Sequence, residues 1–420
     1  MKKSMKLTPL EKSWVLYDVA NSAFVLLVST IIPIYFDYLG DLGGLSETEY
    51  LAYWSYAASI ATLCVAVLGP ILGTAADRKD WKKPIFTIML LIGCIGCVAL
   101  GFATQWLVFL VIFIITKIGY SAANVFYDAM LPDVTTDERM DHVSSAGFAW
   151  GYIGSCIPFA VGLVLVLFYD TIGITMATAM GIALVITAVW WFCLTLPLLK
   201  KYKQTHYVEA TPHAVKSTFL QLGHTLQDIA KKKSVLFFFI AFFFYIDGVY
   251  TVIEEATAYG TALGLNTTGL LLALLVTQFV AFPSSIIFGR LAEKFGSRIM
   301  ISIAIVAYTL ITIYAMFMTQ QYQFWILAVA VGLFQGGIQA ISRSWFGKII
   351  PPEKSGNYYG VLDICGKGAS FLGTLSVGVV TQITGNSSLG VGALVIFFIL
   401  GFIFFQLSVK QMKAEGMQVH

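Results

Sequence analysis

The ionisable side chains inside apolar stretches are the residues of this sequence with the clearest chemical potential. Asp18 lies within the apolar run 13–38, Lys117 lies near the middle of another run, and Asp247 and Glu254 share a third. A charge inside a membrane is costly unless it faces protein, water or an opposite charge. A carboxylate in a cavity can bind and release a proton, and an amine can bind a carboxylate. These residues therefore predict solute binding or ion coupling within a membrane.

Further polar residues accompany these charges. Asn21 and Ser22 follow Asp18 by three and four residues, which places the three side chains in one sector of a helix facing a central cavity. We expect substrate or coupling contacts from the polar residues inside the apolar runs, namely Asp18, Asn21, Ser22, Lys117, Asn124, Asp247, Glu254, Gln335, Gln339 and Lys367.

Each of these residues also has a structural explanation. Lys117 could pair with Asp18 or Asn124, and the carboxylates could form packing hydrogen bonds between helices. Lys367 lies one helical turn beyond Asp363, so an ion pair within one helix is available.

The elements that must position these residues are membrane-spanning helices. Hydrophobic residues make up 58% of the 420 residues and charged residues 12%, with a mean hydropathy of +0.80. Soluble domains carry about 25% charged residues, so the composition excludes an ordinary soluble protein. An all-α membrane protein is predicted, with spans 1 to 12 at residues 13–38, 50–76, 84–103, 106–130, 144–169, 172–197, 235–261, 267–292, 298–319, 322–347, 357–383 and 388–409.

The distribution of basic residues predicts the orientation of these spans. All 26 Lys and Arg residues except Lys117 and Lys367 fall in segments that share one side of the membrane. The positive-inside rule then places both termini in the cytoplasm. The net charge of +3 is too small and dispersed for nucleic-acid binding. The six cysteines all fall in apolar segments, so we expect neither disulfides nor a metal site.

The two halves of the chain repeat a pattern. Span 2 ends Gly-x-x-x-Asp-Arg at residues 73–78, and span 8 ends Gly-x-x-x-Glu-Lys at residues 289–294. A polar connection separates the halves, with apolar residues at helical spacing that suit an interfacial helix. We predict two six-helix bundles related by pseudo-twofold symmetry, over 1–199 and 235–420, joined by a cytoplasmic linker over 200–234.

This Gly-x-x-x-acid-base pattern resembles the cytoplasmic signature of the major facilitator superfamily. The second copy matches over 289–298, whereas the first has Asp80 and Trp81 in place of the second Gly and its following base. Within that superfamily, the stretches Trp-x-x-Tyr-Asp-x-Ala-Asn-Ser-Ala-Phe at 14–24 and Tyr-x-Asp-Gly-Val at 245–249 are similar to the vacuolar-effluxer (autophagy-related) branch, also called unknown major facilitator family one.

The resemblance implies secondary transport by alternating access, with spans 1, 4, 7 and 10 around a central cavity. It also implies export of amino acids or related solutes. Asp18 and Asp247 would occupy corresponding places in the two halves and couple transport to a proton or sodium gradient, with Asp18 low enough to serve an inner gate. Lys79, Lys82 and Lys83 would only anchor the chain at the membrane surface. We expect the cytoplasmic gate to comprise Gly73, Asp77, Arg78, Asp128, Gly289, Glu293, Lys294, Arg298 and Arg343.

Two other classes of function compete with solute transport. A lipid flippase or a non-transporting sensor of the same fold would open laterally between the bundles. An intramembrane aspartyl protease would use Asp18 and Asp247, but the Gly-x-Gly-Asp pattern of such enzymes is absent. No GxxxxGK[ST] pattern occurs, so we expect no ATP hydrolysis by this chain. We expect neither a cofactor nor an enzyme activity. We expect a monomer in a bacterial cell membrane, with a small solute and the lipid bilayer as its partners.

Overall fold

The computed structural model describes residues 6–28, 31–209 and 214–417. Within these ranges, the side chains that lie outside the description are those of residues 47, 48, 51, 52, 55, 214–221, 257, 258, 262, 267, 268, 271 and 367–371.

The chain forms the twelve predicted spans. Span 1 consists of Pro9–Val28 and Ile31–Leu42, and span 12 consists of Ser387–Gly392 and Leu394–Ala414. The bounds of spans 2 to 11 are Glu47–Ala76, Lys82–Leu100, Trp106–Ala129, Met140–Leu167, Met176–Lys201, Lys233–Ala262, Thr267–Phe295, Ser297–Met316, Gln321–Ile349 and Ser355–Thr384. In the described part of the chain, eleven helices are long and apolar enough to cross a membrane, and span 11 contributes a shorter apolar helix, Leu372–Thr384.

Spans 1–6 and spans 7–12 form two six-helix bundles, as predicted. The first bundle has an aromatic-rich core that includes Trp14, Tyr17 and Phe24, and the second has a core that includes Phe238 and Phe346. The bundles meet mainly where span 2 packs on span 11 and where span 5 packs on span 8. Two symmetric seams of this kind are what a duplicated six-helix unit produces.

The segment between the bundles contains a helix, Ala214–Lys231, as its apolar spacing predicted. Ile229 on this helix is buried against the second bundle, and the Asn357 side-chain amide donates a hydrogen bond to Thr225 Oγ1. The preceding residues lie on the first bundle, where the Val208 N–H donates to the Asp77 carbonyl. We call the end of the spans at which this segment lies the linker end.

The turns at the linker ends of the two halves each have a residue with positive φ at the same position of the motif. Asp80, between spans 2 and 3, has φ of 63°, and Gly296, between spans 8 and 9, has φ of 92°. Aspartate is one of the few residues with a side chain that tolerates the left-handed region. The first copy of the motif therefore makes its turn without the second glycine.

Candidate functional site

Arg343 of span 10 joins the two bundles at the linker end. Its Nη2 donates to Asp18 Oδ2 of span 1 at 3.0 Å, and its Nη1 donates to Asp128 Oδ1 of span 4 at 3.1 Å. Its Nε and Nη2 also donate to the Oγ and the carbonyl of Ser144 on span 5. Arg343 is only 7% exposed, so the two carboxylates compensate a buried positive charge.

Three aromatic rings surround the same guanidinium. Its carbon lies 4.4 Å from the ring centroid of Phe148, 4.6 Å from that of Trp14 and 5.4 Å from that of Tyr127. All three rings belong to the first bundle, so cation–π attraction adds to the ion pairs in holding Arg343 across the seam. Trp14 is itself fixed, because its Nε1 donates to the Tyr127 carbonyl.

Asp77 joins the bundles at the seam between spans 2 and 11. Its carboxylate accepts hydrogen bonds from the N–H groups of Gly356 at 2.7 Å and Asn357 at 2.9 Å, in the first turn of span 11. A carboxylate at a helix N-terminus satisfies donors that the helix itself leaves free. Burial raises the pKa of Asp77 to about 7, against the opposing effects of Lys82 and these two donors.

Close backbone approach at this seam requires glycine. A Cβ on Gly73 would lie 2.2 Å from the Gly356 carbonyl oxygen, and a Cβ on Gly360 would lie 2.7 Å from the Gly69 carbonyl oxygen. Distances of this kind are shorter than any van der Waals contact, so spans 2 and 11 touch backbone to backbone.

Lys82 is not the surface anchor that the sequence suggested. Its side chain is fully buried, and its Nζ donates to Ser355 Oγ of span 11, to the Ala129 carbonyl and to Asp133 Oδ2. Burial alone would raise the pKa of Asp133, but Lys82 and the donors Tyr202, Thr205 and His206 outweigh it, so the pKa is lowered. The first turn of span 3 thus places a cation inside the seam.

Asp141, at the start of span 5, forms a second cluster across the bundles that the sequence did not reveal. Its Oδ2 accepts from Lys348 Nζ at 2.6 Å and from Ser297 Oγ at 2.7 Å, and its Oδ1 accepts from Ser344 Oγ. All three donors belong to the second bundle. The buried carboxylate therefore pins spans 9 and 10 to span 5.

Replacing Asp141 by asparagine is expected to weaken closure of the linker end. The amide keeps the shape but leaves Lys348 without its charge partner, which costs on the order of 2 kcal/mol. Hydrogen exchange of amides near the linker ends of spans 5 and 10 should accelerate about 30-fold. Asp137→Asn, an exposed position in the turn before span 5, is the matched control and should exchange like the wild type. Equal exchange rates in the two variants would show that Asp141 does not stabilise closure of the linker end.

The second copy of the motif also contacts the first bundle. A Cβ on Gly289 would lie 2.7 Å from Ser145 Cβ, so spans 8 and 5 also approach closely. Glu293 Oε1 lies 3.8 Å from His142 Nδ1 of span 5, an ion pair only when the histidine is protonated.

The remaining motif cations are Lys294, Arg298 and Arg78. Lys294 is exposed, with its amine 5.0 Å from the Phe295 ring centroid, and Arg298 is half-buried. Arg78 is buried, with its guanidinium 5.7 Å from the Trp81 ring centroid.

A cavity of about 260 Å³ lies between the bundles, directly beyond the Arg343 cluster. Three acidic side chains line it, namely Asp128 of span 4, Glu254 of span 7 and Asp363 of span 11. Tyr250 and Tyr359 also contribute to its wall. Lys117, half-buried on span 4, acts electrostatically on Glu254 and lies over the Phe113 ring. Both charge signs are therefore present around the cavity.

Span 11 supplies much of this lining, although the resemblance had assigned the cavity to spans 1, 4, 7 and 10. Spans 1 and 10 contribute instead the Asp18–Arg343 contact at its linker end. Asn21 is buried, and Ser22 packs on span 5, where a Cβ on Gly151 would lie 2.8 Å from the Ser22 Oγ. Neither residue belongs to the described lining of the cavity.

The other polar residues that were predicted to contact substrate lie in different places. Asn124 accepts a hydrogen bond from the Tyr17 hydroxyl at 3.2 Å. Gln335 is buried near the seam, and Gln339 is half-buried one turn before Arg343 on span 10. Lys367 lies on span 11, but its side chain falls outside the described residues.

Asp247 lies inside the second bundle, between spans 7 and 11. Its Oδ1 accepts from the Gly373 N–H at 3.0 Å and from Thr251 Oγ1 at 3.2 Å. Its Oδ2 is fully buried and has no hydrogen-bond partner among the described atoms. Asp18 and Asp247 thus have different partners, one across the seam and one within a bundle, and do not form a catalytic pair.

Comparison with known proteins adds three findings. The family model described as "Vacuole effluxer Atg22 like" matches residues 10–418. The MFS-type transporter YxiO of Bacillus subtilis is 42% identical, over 95% of this chain and 94% of its own length. Autophagy-related protein 22 of Kluyveromyces lactis is 21% identical, over 97% of this chain and 95% of its own length.

Solved structures share the fold at low identity. The fucose transporter FucP in its outward conformation has a TM-score of 0.71 and 14% identity, covering 95% of this chain and 97% of that structure. A bacterial homologue of the iron transporter ferroportin has a TM-score of 0.70 and 13% identity, covering 96% and 98%. FucP is a major facilitator superfamily transporter, and at these identities the likeness to both structures concerns the fold alone.

Proposed function

Because this chain belongs to the Atg22-like vacuole effluxer family of major facilitator transporters, we propose that it exports a small zwitterionic solute, an amino acid or a related compound. It is a multi-pass membrane transporter rather than an enzyme. The observation that carries the proposal is the mixed charge around the central cavity, where Glu254 and Asp363 line the wall and Lys117 acts electrostatically on Glu254.

Those charges match the two ends of an amino acid. An ammonium group would bind at the carboxylates of Glu254 and Asp363, and a carboxylate would bind at the ammonium of Lys117. The cavity volume of about 260 Å³ suits a small solute. The adjacent Arg343 cluster closes the linker end beneath it and would part to release or admit solute there.

We assign coupling to Asp247. Its Oδ2 is buried and has no hydrogen-bond partner among the described atoms, which is favourable for an oxygen that binds a proton or sodium ion in part of the cycle. The bonds from Gly373 and Thr251 link that event to the packing of spans 7 and 11. Efflux follows the family description, and a monomer in the cell membrane with cytoplasmic termini is the proposed setting.

Flux into proteoliposomes tests the substrate and the site together. Labelled amino acids are supplied with and without a pH gradient or a sodium gradient, and the wild type should show gradient-dependent flux for at least one of them. Glu254→Gln and Lys117→Ala should each lower that flux at least tenfold, because each removes one charge of the solute site. Glu255→Gln is the matched control, since Glu255 points about 100° away on the same helix and should retain at least half of the flux.

Asp247→Asn should retain solute exchange and lose its stimulation by the gradient. If Asp247→Asn remains fully gradient-driven, the coupling assignment fails. If no amino acid is transported while a labelled phospholipid crosses the bilayer, a flippase replaces the solute transporter.

A further inference from the structure

A long groove follows the outer face of the first bundle, away from the central cavity. Its volume is about 870 Å³, and spans 1, 5 and 6 form its walls. Apolar residues such as Val15, Ile153, Ile157 and Leu194 line it, and Lys12 is among its lining residues. We propose that this groove binds one anionic phospholipid, with an acyl chain on the apolar walls and the phosphate at Lys12.

Val19 of span 1 contacts both of the other spans that form the groove. A Cβ on Gly154 would lie 2.4 Å from Val19 Cγ1, so the Val19 side chain packs directly on the backbone of span 5. Trp190 Nε1 of span 6 donates to the Val19 carbonyl at 3.3 Å. The three walls thus hold their spacing without a ligand, and a preformed groove costs little ordering on binding.

The groove extends from the linker end into the hydrocarbon core. Its lining on span 1 extends from Lys12 to Val19, which is about 10 Å at the helical rise per residue, and its lining on span 5 extends from Trp150 to Ala160, which is about 15 Å. An acyl chain can therefore follow the apolar walls inward from a headgroup at Lys12. Lys12 lies at the linker end of span 1, where the headgroup region of the membrane begins.

Charge favours an anionic headgroup at this position. Lys12 and Lys201 are both exposed, and Lys201 Nζ donates to the Pro9 carbonyl beside the first turn of span 1. The nearest acid, Glu11, is engaged by Arg139 at 2.7 Å and by Thr135. The charge of Glu11 is therefore balanced by Arg139. Two lysines at the end of an apolar groove between spans are suited to binding an anionic phospholipid.

Quenching of tryptophan fluorescence by lipids brominated on their acyl chains tests this site. The full-length protein is placed in phosphatidylcholine nanodiscs containing either brominated phosphatidylglycerol or brominated phosphatidylcholine at equal fraction. Trp150 and Trp190 lie in the groove and report contact with bromine. We expect half-maximal quenching at an at least threefold lower fraction of phosphatidylglycerol than of phosphatidylcholine. Trp150→Phe should reduce the amplitude of the quenching, which would show that the quenched fluorescence comes from the groove.

The headgroup preference should disappear in Lys12→Gln/Lys201→Gln. It should persist in Lys410→Gln/Lys413→Gln, which removes two exposed lysines at the linker end of span 12. Equal quenching by the two wild-type lipid series, or a preference that survives Lys12→Gln/Lys201→Gln, would overturn the proposal. A disulfide formed between Cys156 residues of two copies would show that a second chain fills the groove instead.

Discussion

Replacing Arg343 by glutamine is expected to open the linker end and abolish net transport. The substitution leaves Asp18 and Asp128 as uncompensated carboxylates in a buried seam. Removing one partner of a buried ion pair costs about 3–5 kcal/mol, whereas both carboxylates regain water when the bundles part. The closed linker end should therefore lose population by a factor of roughly 100 or more.

Spin labels at Lys79 and Lys294 measure this opening, because both side chains are exposed at the linker end of different bundles. In a background without the native cysteines, Arg343→Gln should shift the distance distribution to longer values, while gradient-driven flux falls to background. Arg290→Gln, an exposed cation on span 8, is the matched control and should resemble the wild type.

A charge-balanced variant separates electrostatics from packing. Adding Asp18→Asn and Asp128→Asn to Arg343→Gln removes the unpaired charges, so the closed population should recover at least tenfold relative to the single variant. If Arg343→Gln alone keeps the wild-type distances, the cluster does not control the linker end.

The apolar runs and the distribution of basic residues were sufficient to predict the spans. Each observed span overlaps its predicted range closely, because about 20 apolar residues are needed to cross a bilayer and few other segments provide them. The contacts between the two bundles are harder to predict from the sequence. Span 5 begins at Met140, four residues before its predicted start, so Asp141 looked like a loop residue. The sequence does not distinguish Lys82 from Lys79 and Lys83, because burial of one lysine in a basic turn depends on contacts with the partner bundle.

Asp18 and Asp247 do not occupy corresponding places in the two halves, because they lie at different distances along the helix from the two matching tyrosines. Tyr17 donates to Asn124 on span 4, and Tyr245 donates to Ser342 on span 10, so the two tyrosines occupy corresponding places. Asp18 directly follows its tyrosine, but Asp247 follows two residues after. One residue rotates a helical side chain by about 100°. The same acid type therefore faces the seam in one half and the interior of the bundle in the other.

Replacing Gly73 by alanine is expected to prevent closure by sterics alone. The added methyl group would lie 2.2 Å from the Gly356 carbonyl oxygen, and a backbone atom cannot yield as a flexible side chain would. Overpacking typically costs 1–3 kcal/mol, so the closed state should lose roughly 10- to 100-fold in population. Gradient-driven flux should fall in proportion, and the Lys79–Lys294 distances should lengthen.

Two further glycines make this prediction specific. A Cβ on Gly69, one turn away on span 2, would lie 3.6 Å from the Gly360 carbonyl oxygen, an ordinary contact, so Gly69→Ala should transport normally. On span 11, a Cβ on Gly378 would meet nothing within 4 Å, and Gly378→Ala should stabilise the helix slightly. Because alanine favours a helix at all three positions, loss of closure confined to Gly73→Ala would be due to the seam. Normal closure and flux in Gly73→Ala would mean that spans 2 and 11 need not touch for transport, and closure would then depend on the charged clusters of Arg343 and Asp141.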